Sequence, residues 1–174
     1  MAYDAYLFID DIPGDSTSKT WESAKPSAFR PIEIKSYSLS IEMPVVENRS
    51  ATGAATIGRA NFNDFECAKN FDGATPHLLF HCLAGKHIKN IYCLVYRATE
   101  EGEDPTLFLK IHYQDNIITE VGVSGGGDEL PNETLKFSYG TVNYEYTKTD
   151  LRTGRKGAKA TFVWDRIKNT GTKS

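Results

Sequence analysis

Two long stretches of this 174-residue chain alternate apolar and polar side chains and then reverse phase partway, which restricts the fold more than any other feature. In residues 32–43, Ile32 and Ile34 are apolar on even positions, whereas Tyr37, Leu39, Ile41 and Met43 are apolar on odd ones. Successive side chains of a strand point to opposite faces, so the change requires a bulge or bend, here near Lys35 and Ser36. In residues 133–148, Leu135, Phe137 and Tyr139 give way to Val142, Tyr144 and Tyr146, and the reversal sits at Gly140. Glycine suits a bulge that carries a strand from one sheet to the next. Corner-turning strands can join two packed layers, so the pattern predicts a closed or nearly closed barrel of two sheets.

Short apolar runs between clusters of Gly, Pro, Asn and Asp fill most of the remaining chain, the signature of a mostly β domain. Residues 3–9 read as a strand, 15–31 as a long polar loop, and 44–55 as a protruding loop of small residues. A strand is expected over residues 56–70. Residues 87–99 are apolar on both alternating faces, which predicts burial on both sides by the helix, a second sheet or another subunit. In the next run Leu107, Leu109, Ile111 and Tyr113 face inward, with Lys110, His112 and Gln114 outward. The end of the chain reads as a basic loop over residues 152–159, a short strand over 160–167 and a frayed tail. One helix is expected at residues 75–84: Thr75 can cap, Pro76 suits the first helical position, and Gly85 terminates the segment. Its predicted core stripe is Leu78, Leu79, Cys82 and Leu83, with His77, Phe80 and His81 lying away from it.

The length and a 40% hydrophobic content fit a single domain spanning residues 1–174. A net charge of −3 with scattered lysines and arginines gives no footing for nucleic acid or an anionic membrane. The N-terminus lacks a basic leader followed by an apolar run, and no segment approaches the roughly 18 apolar residues of a membrane span. The expectation is a cytoplasmic protein with no membrane insertion, exported, if at all, without a cleaved signal. Cys67, Cys82 and Cys93 form an odd set without CxxC spacing and read as buried reduced thiols.

Catalytic constellations do not emerge. His77 and His81 stand one helical turn apart, with His87 or Cys82 as conceivable third ligands, but no general base lies between them as in HExxH. They read as exposed or capping histidines. The SGGGDELP run at residues 124–131 lacks the Lys-Ser/Thr of a phosphate cradle, and no GxSxG elbow is present. Asp10-Asp11 and Glu100-Glu101 lie in polar turns, where solvated carboxylates are the ordinary outcome. The expectation is therefore no enzyme, no metal and no cofactor. What remains is surface geometry. Phe80 on a short helix has the look of a subunit contact. Val45, Val46, Glu47, Asn48 and Arg49 occupy the protruding loop, and Ser36, Ser38 and Ser40 form a small polar row facing water. Sheet edges must be blunted or paired, and one way is to pair them with a second subunit.

Four stretches in order carry a family resemblance: YLFIDDIPGDST near the start; NFNDFECAKNFDGATPHLLFHCLAGKHIKNIYCLVYRAT, residues 61–99; NETLKFSYGTVNYEYT, residues 132–147; and FVWDRIKN, residues 162–169. Together they resemble the Hcp (haemolysin-coregulated protein) family, whose rings form the inner tube of the type VI secretion system. Residues 19–32 and 49–59 depart from the common family pattern. The resemblance implies a small two-sheet β-barrel with one flanking α-helix, like phage tail-tube proteins. It also implies homohexameric rings stacked inside a contractile sheath under a spike, and sheath contraction that expels the tube with effector proteins in its lumen. On that reading Ser36, Ser38 and Ser40 face the lumen, and Phe80 and residues 45–49 serve assembly. A different class of function, a monomeric β-barrel binding a small ligand inside, is opposed by the bulk of the inward side chains.

Overall fold

The computed structural model describes residues 3–45, 58–97, 105–127, 130–150 and 156–174. Its elements follow the chain as β1 (Tyr3–Ile9), β2 (Ile32–Ile34), β3 (Ser36–Ser38), β4 (Ile41–Glu42), β5 (Asn61–Phe62), β6 (Phe65–Asn70), α1 (Thr75–Ala84), β7 (His87–Arg97), β8 (Thr106–Ser124), β9 (Asn132–Ser138), β10 (Thr141–Thr149), β11 (Lys156–Asp165) and β12 (Thr170–Lys173). Among the described residues no helix is long and apolar enough to cross a membrane.

Ten strands share one hydrogen-bonded sheet, while β4 and β5 pair only with each other as a separate ribbon. This differs from the expected pair of sheets. The antiparallel ladder runs β2, β1, β7, β8, β9, β6, β3. Its two ends are successive pieces of one segment, bent at Lys35, whose N–H donates to the Ala68 carbonyl at 2.7 Å. That bend is the first phase reversal: β2 buries Ile32 and Ile34 against β1, and β3 then turns Tyr37 onto the same core. The ladder is open at this corner, with only the chain itself passing through it.

The second reversal is equally physical. Gly140 donates its N–H to Gln114 and Asp115 carbonyls at 2.9 and 3.1 Å, and a Cβ there would meet Asp115 Cβ at 3.1 Å. Asp115 itself has φ 56°, a left-handed conformation that short polar side chains tolerate. β8 and the β9–β10 segment thus bend together, and burial passes from Phe137 and Tyr139 to Val142.

β1 and β7 bury both of their faces. Ala5, Leu7 and Ile9 join Ile91, Cys93 and Val95 in the main core, while Tyr6 and Phe8 join Leu94 and Tyr96 in a second cluster. The cover over this second cluster is the stretch expected to be a plain polar loop. Residues 15–31 fold back with Trp21 buried against Phe8, ring centroids 5.9 Å apart and nearly perpendicular. Gly14 makes the fold-back possible, because a Cβ there would meet the Pro31 carbonyl oxygen at 2.1 Å. Leu107 belongs to this second cluster too, not inward with Leu109: a register shift opposite Val95 and Tyr96 turns it over and sends Phe108 to the main core.

Helix α1 has the expected bounds and ends at Gly85 with φ 58°. Its buried face, however, is Thr75, Leu78 and His81, with Cys82 half-buried, whereas Leu79 and Leu83 are exposed. His81 is hidden because its Nδ1 lies 2.8 Å from the His77 carbonyl, which satisfies one polar atom within the helix itself. Of the three thiols, Cys67 and Cys93 are buried, and desolvation pushes the Cys67 thiol up to about 12 and Cys93 strongly upward as well.

Two other expectations change, and one buried ion pair was not expected. The strand of residues 56–70 is interrupted at Asn63 and Asp64, between β5 and β6, and residues 56–57 lie outside the described residues. The tail is not frayed: β12 returns along β11 through a turn in which Asn169 has φ 53°. Lys69, on the inward phase of β6, is fully buried, its ammonium 2.8 Å from Asp72 Oδ1 and 3.3 Å from Glu133 Oε2. Thr75 Oγ1 donates to the same Glu133 oxygen, so the helix start, β6 and β9 meet at one ion pair.

A bare polar face as the candidate functional site

The strands β3, β6, β9 and β8 carry two very different faces. Register places Tyr37, Cys67, Leu135 and Val121 in one cross-strand row, packed in or against the core. One residue along, the opposite face presents Ser38, Glu66, Lys136 and Glu120, and the next such row is Ser36, Ala68, Thr134 and Gly122. Alternation on all four strands generates this face, and no described segment of the chain packs over it: Ser36, Ser38, Glu66 and Glu120 are exposed and Ala68, Thr134, Lys136 and Gly122 half-exposed.

The charged row is internally matched. Lys136 donates to Glu120 Oε2 at 3.0 Å and lies 3.9 Å from Glu66 Oε2. The hydrogen bond to Glu120, and then the two carboxylates, raise the Lys136 pKa above its ordinary value. At one end of the face Thr119, the extra residue where β8 slips in register, donates to Asp64 Oδ2 at 2.6 Å. At the other end Lys35 donates to Asn132 Oδ1 at 2.8 Å. Small side chains and self-paired charges leave a shallow, hydrated surface with no large apolar group to hold a protein by burial.

Ser36 and Ser38 stand on this face together. Ser40 lies past the end of β3, half-exposed, where its carbonyl accepts the Asn63 N–H at 3.1 Å at the root of the ribbon. Sequence reasoning found one column of the face and missed the other three. The signal was present in the outward phases of β6, β9 and β8, but only pairing could bring them side by side. Phe80 is 63% exposed, and with Leu79 and Leu83 it forms an apolar stripe on the outer side of α1, larger than the single contact expected there. Val45 is 49% exposed, while Val46, Glu47, Asn48 and Arg49 lie outside the described residues.

His77 and His81 do not converge, since His81 is buried and His77 exposed. Among the described residues no group of three or more His, Cys, Asp or Glu side chains is arranged to hold a metal ion.

Solved structures similar to this chain cover most or nearly all of it. A type six secretion system protein superimposes with a TM-score of 0.83 at 23% identity, covering 98% of this chain and 100% of that one. Hcp1 from Salmonella typhimurium matches with a TM-score of 0.75 at 26% identity, covering 99% and 100%. A type VI secretion system effector from Yersinia pestis matches with a TM-score of 0.66 at 25% identity, covering 93% and 99%. The fold also resembles the tube-terminating cap of the anti-feeding prophage, with a TM-score of 0.53 at 11% identity over 82% of this chain and 87% of that one. No curated protein matches the sequence. The family model described as "Type VI secretion system effector, Hcp" matches residues 6–146, and the chain belongs to the Hcp family.

Proposed function

We propose that the protein is a ring-forming tube subunit of a type VI secretion system, its wrapped sheet acting as the barrel wall of a homohexamer. The observation that carries this reading is the bare four-stranded face. A solvated polar sheet face is also common in monomers, but one this broad and free of large apolar groups suits the lumen that each subunit of a ring must line. Ser36, Ser38, Ala68, Thr134 and Gly122 would then line the channel, and Ser40 would lie at its rim. The exposed Phe80 stripe and the chain around Val45 to Arg49 would supply assembly contacts. Stacked rings would lie inside the contractile sheath beneath the spike, carry effector proteins, and leave the cytoplasm with them on contraction.

The reading as a small-ligand barrel has little support, because the interior is filled. Phe65, Phe137 and Tyr113 pack with ring centroids 4.9 to 5.4 Å apart.

Native mass spectrometry of the purified protein, with Ser38→Trp beside it, tests the proposal. The expected result is a hexamer for both, with the variant failing to retain co-expressed effector. A clean monomer at high micromolar concentration, or unchanged retention by the variant, would overturn it.

A further inference from the structure

The ribbon β4–β5 stands apart from the ten-stranded sheet, and a cleft lined by Arg59, Phe62, Asp115, Tyr139 and Arg166 lies between it and the Gly140 corner. Across that cleft reaches one side chain from the turn between β11 and β12. Arg166 Nη1 donates to the Tyr139 carbonyl at 2.6 Å and Ser138 Oγ at 3.4 Å, and Nη2 to the Phe62 carbonyl at 3.5 Å. Its guanidinium also sits over the rings of Phe62 and Tyr139, at 5.1 and 4.9 Å. The backbone N–H of Arg166 donates to the Gly140 carbonyl at 2.9 Å, so the arginine is fixed at its own root. In return Arg59, next to the ribbon, donates to the carbonyls of Arg166 and Ile167 at 2.8 and 3.4 Å. Neither arginine has a carboxylate within ion-pair distance among the described residues. Their charge is spent on main-chain carbonyls of neighbouring segments, a use that needs the fixed fork of arginine and that lysine cannot reproduce.

We propose that Arg166 is a positioning residue that sets the angle at which the β4–β5 ribbon projects from the body, and through it the contact between successive rings. The stacking half of this rests on the tube reading above; the positioning half does not. The device lies in the terminal hairpin, beyond residues 6–146 that the family model matches.

The hairpin is built to hold such a strut steady. Gly171 passes beneath the Trp164 ring, where a Cβ would come within 2.4 Å of Cε3, so β12 lies flat on β11. Asp165 Oδ1 accepts the N–H groups of Ile167 and Lys168, both at 2.9 Å, and tightens the turn that presents Arg166.

The test compares Arg166→Gln and Arg166→Lys with the parent chain by amide hydrogen exchange, native mass and electron microscopy of assembled tubes. Both variants are expected to exchange about three- to tenfold faster at residues 61–63, the factor that loss of one ordinary hydrogen bond gives. Exchange in β7 and β8 stays as in the parent, single rings form at the parental concentration, and tubes become short or absent. Arg59→Ala is expected to give the same pattern more weakly. Unchanged exchange at residues 61–63 would overturn the proposal, as would acceleration spread through the core or tubes of parental length. A parent chain that forms no rings sinks the tube reading and the stacking half with it, while the exchange measurement decides the positioning half alone.

Discussion

The outer side of β1 and β7 and the outer side of β3, β6, β9 and β8 are both sheet faces turned away from the main core, yet the chain treats them in opposite ways. The first presents Tyr6, Phe8, Leu94 and Tyr96, and residues 15–31 are laid across it with Trp21 as the plug. The second presents serine, threonine, alanine, glycine and a matched charge row, and no described segment covers it. Of these two faces, the chain covers the one that water would penalise and leaves open the one that water tolerates. An uncovered face is therefore informative only because the same molecule shows what covering looks like.

The largest effect is expected on the covered side. Trp21→Ala removes the plug and leaves four aromatic or aliphatic side chains facing water, and a loss of about 3–5 kcal/mol is expected in urea denaturation. A loss below about 1 kcal/mol would mean that residues 15–31 merely rest on the sheet, and the contrast would collapse.

A comparable loss is expected beneath the bare face, where β6 and β9 meet the start of α1. Lys69→Met strands the buried Glu133 carboxylate, at a cost of about 3–5 kcal/mol. The double variant Lys69→Met with Glu133→Leu should recover part of it, since it removes the fully buried carboxylate while the half-buried Asp72 still loses its lysine. Failure to recover would show that the lysine stem, not the charge pair, fits the site.

On the bare face, Ser36→Tyr and Thr134→Tyr are expected to shift stability by less than about 0.5 kcal/mol. A destabilisation of several times that would reveal a cover that the described residues do not supply.

The smallest effect concerns pH. His112 stacks on Tyr92 with centroids 4.2 Å apart, and its Nε2 lies 2.9 Å from Asn90 Oδ1. Burial and then the nearby Lys110 lower its pKa below the ordinary 6.5, with Asp10 opposing. The unfolded chain therefore binds the proton more readily than the folded one, so the stability His112 contributes is present above pH 6.5 and is lost as pH falls below it. His112→Asn should flatten the fall of the denaturation midpoint as pH drops below about 6.5. An unchanged slope would place the titration elsewhere.

Much of this contrast could be read from residues alone, and the failures have physical causes. Phase reversals are local facts of a strand, so the corners at Lys35 and Gly140 were visible. The bounds of α1 were visible because Thr-Pro and Gly act on the backbone beside them. Which helix face is buried was not, because Leu78 belongs to two stripes and His81 goes inside with only its Nδ1 satisfied by the helix, its Nε2 having no partner among the described residues. Trp21 stood alone in a polar stretch, where no periodicity marks a plug. Lys69 did carry a sign, a lysine on the inward phase of Phe65 and Cys67, but its partner Glu133 is 64 residues away. The terminal hairpin was missed because its turn has neither glycine nor proline and depends on Asn169 entering a left-handed conformation.

The pairing of β1 with β7 also governs the order of events in time. Ile9 meets Ile91 and Tyr3 meets Arg97, so β1, apolar on both sides, must wait for more than eighty residues before its main partner exists. β2 offers it only three positions in the interval. At roughly 5–20 residues per second the wait lasts several seconds, with an aromatic edge exposed throughout. Synthesis therefore makes this strand long before it can complete it, and the interval is when nascent chains are most open to pairing with one another instead of with themselves.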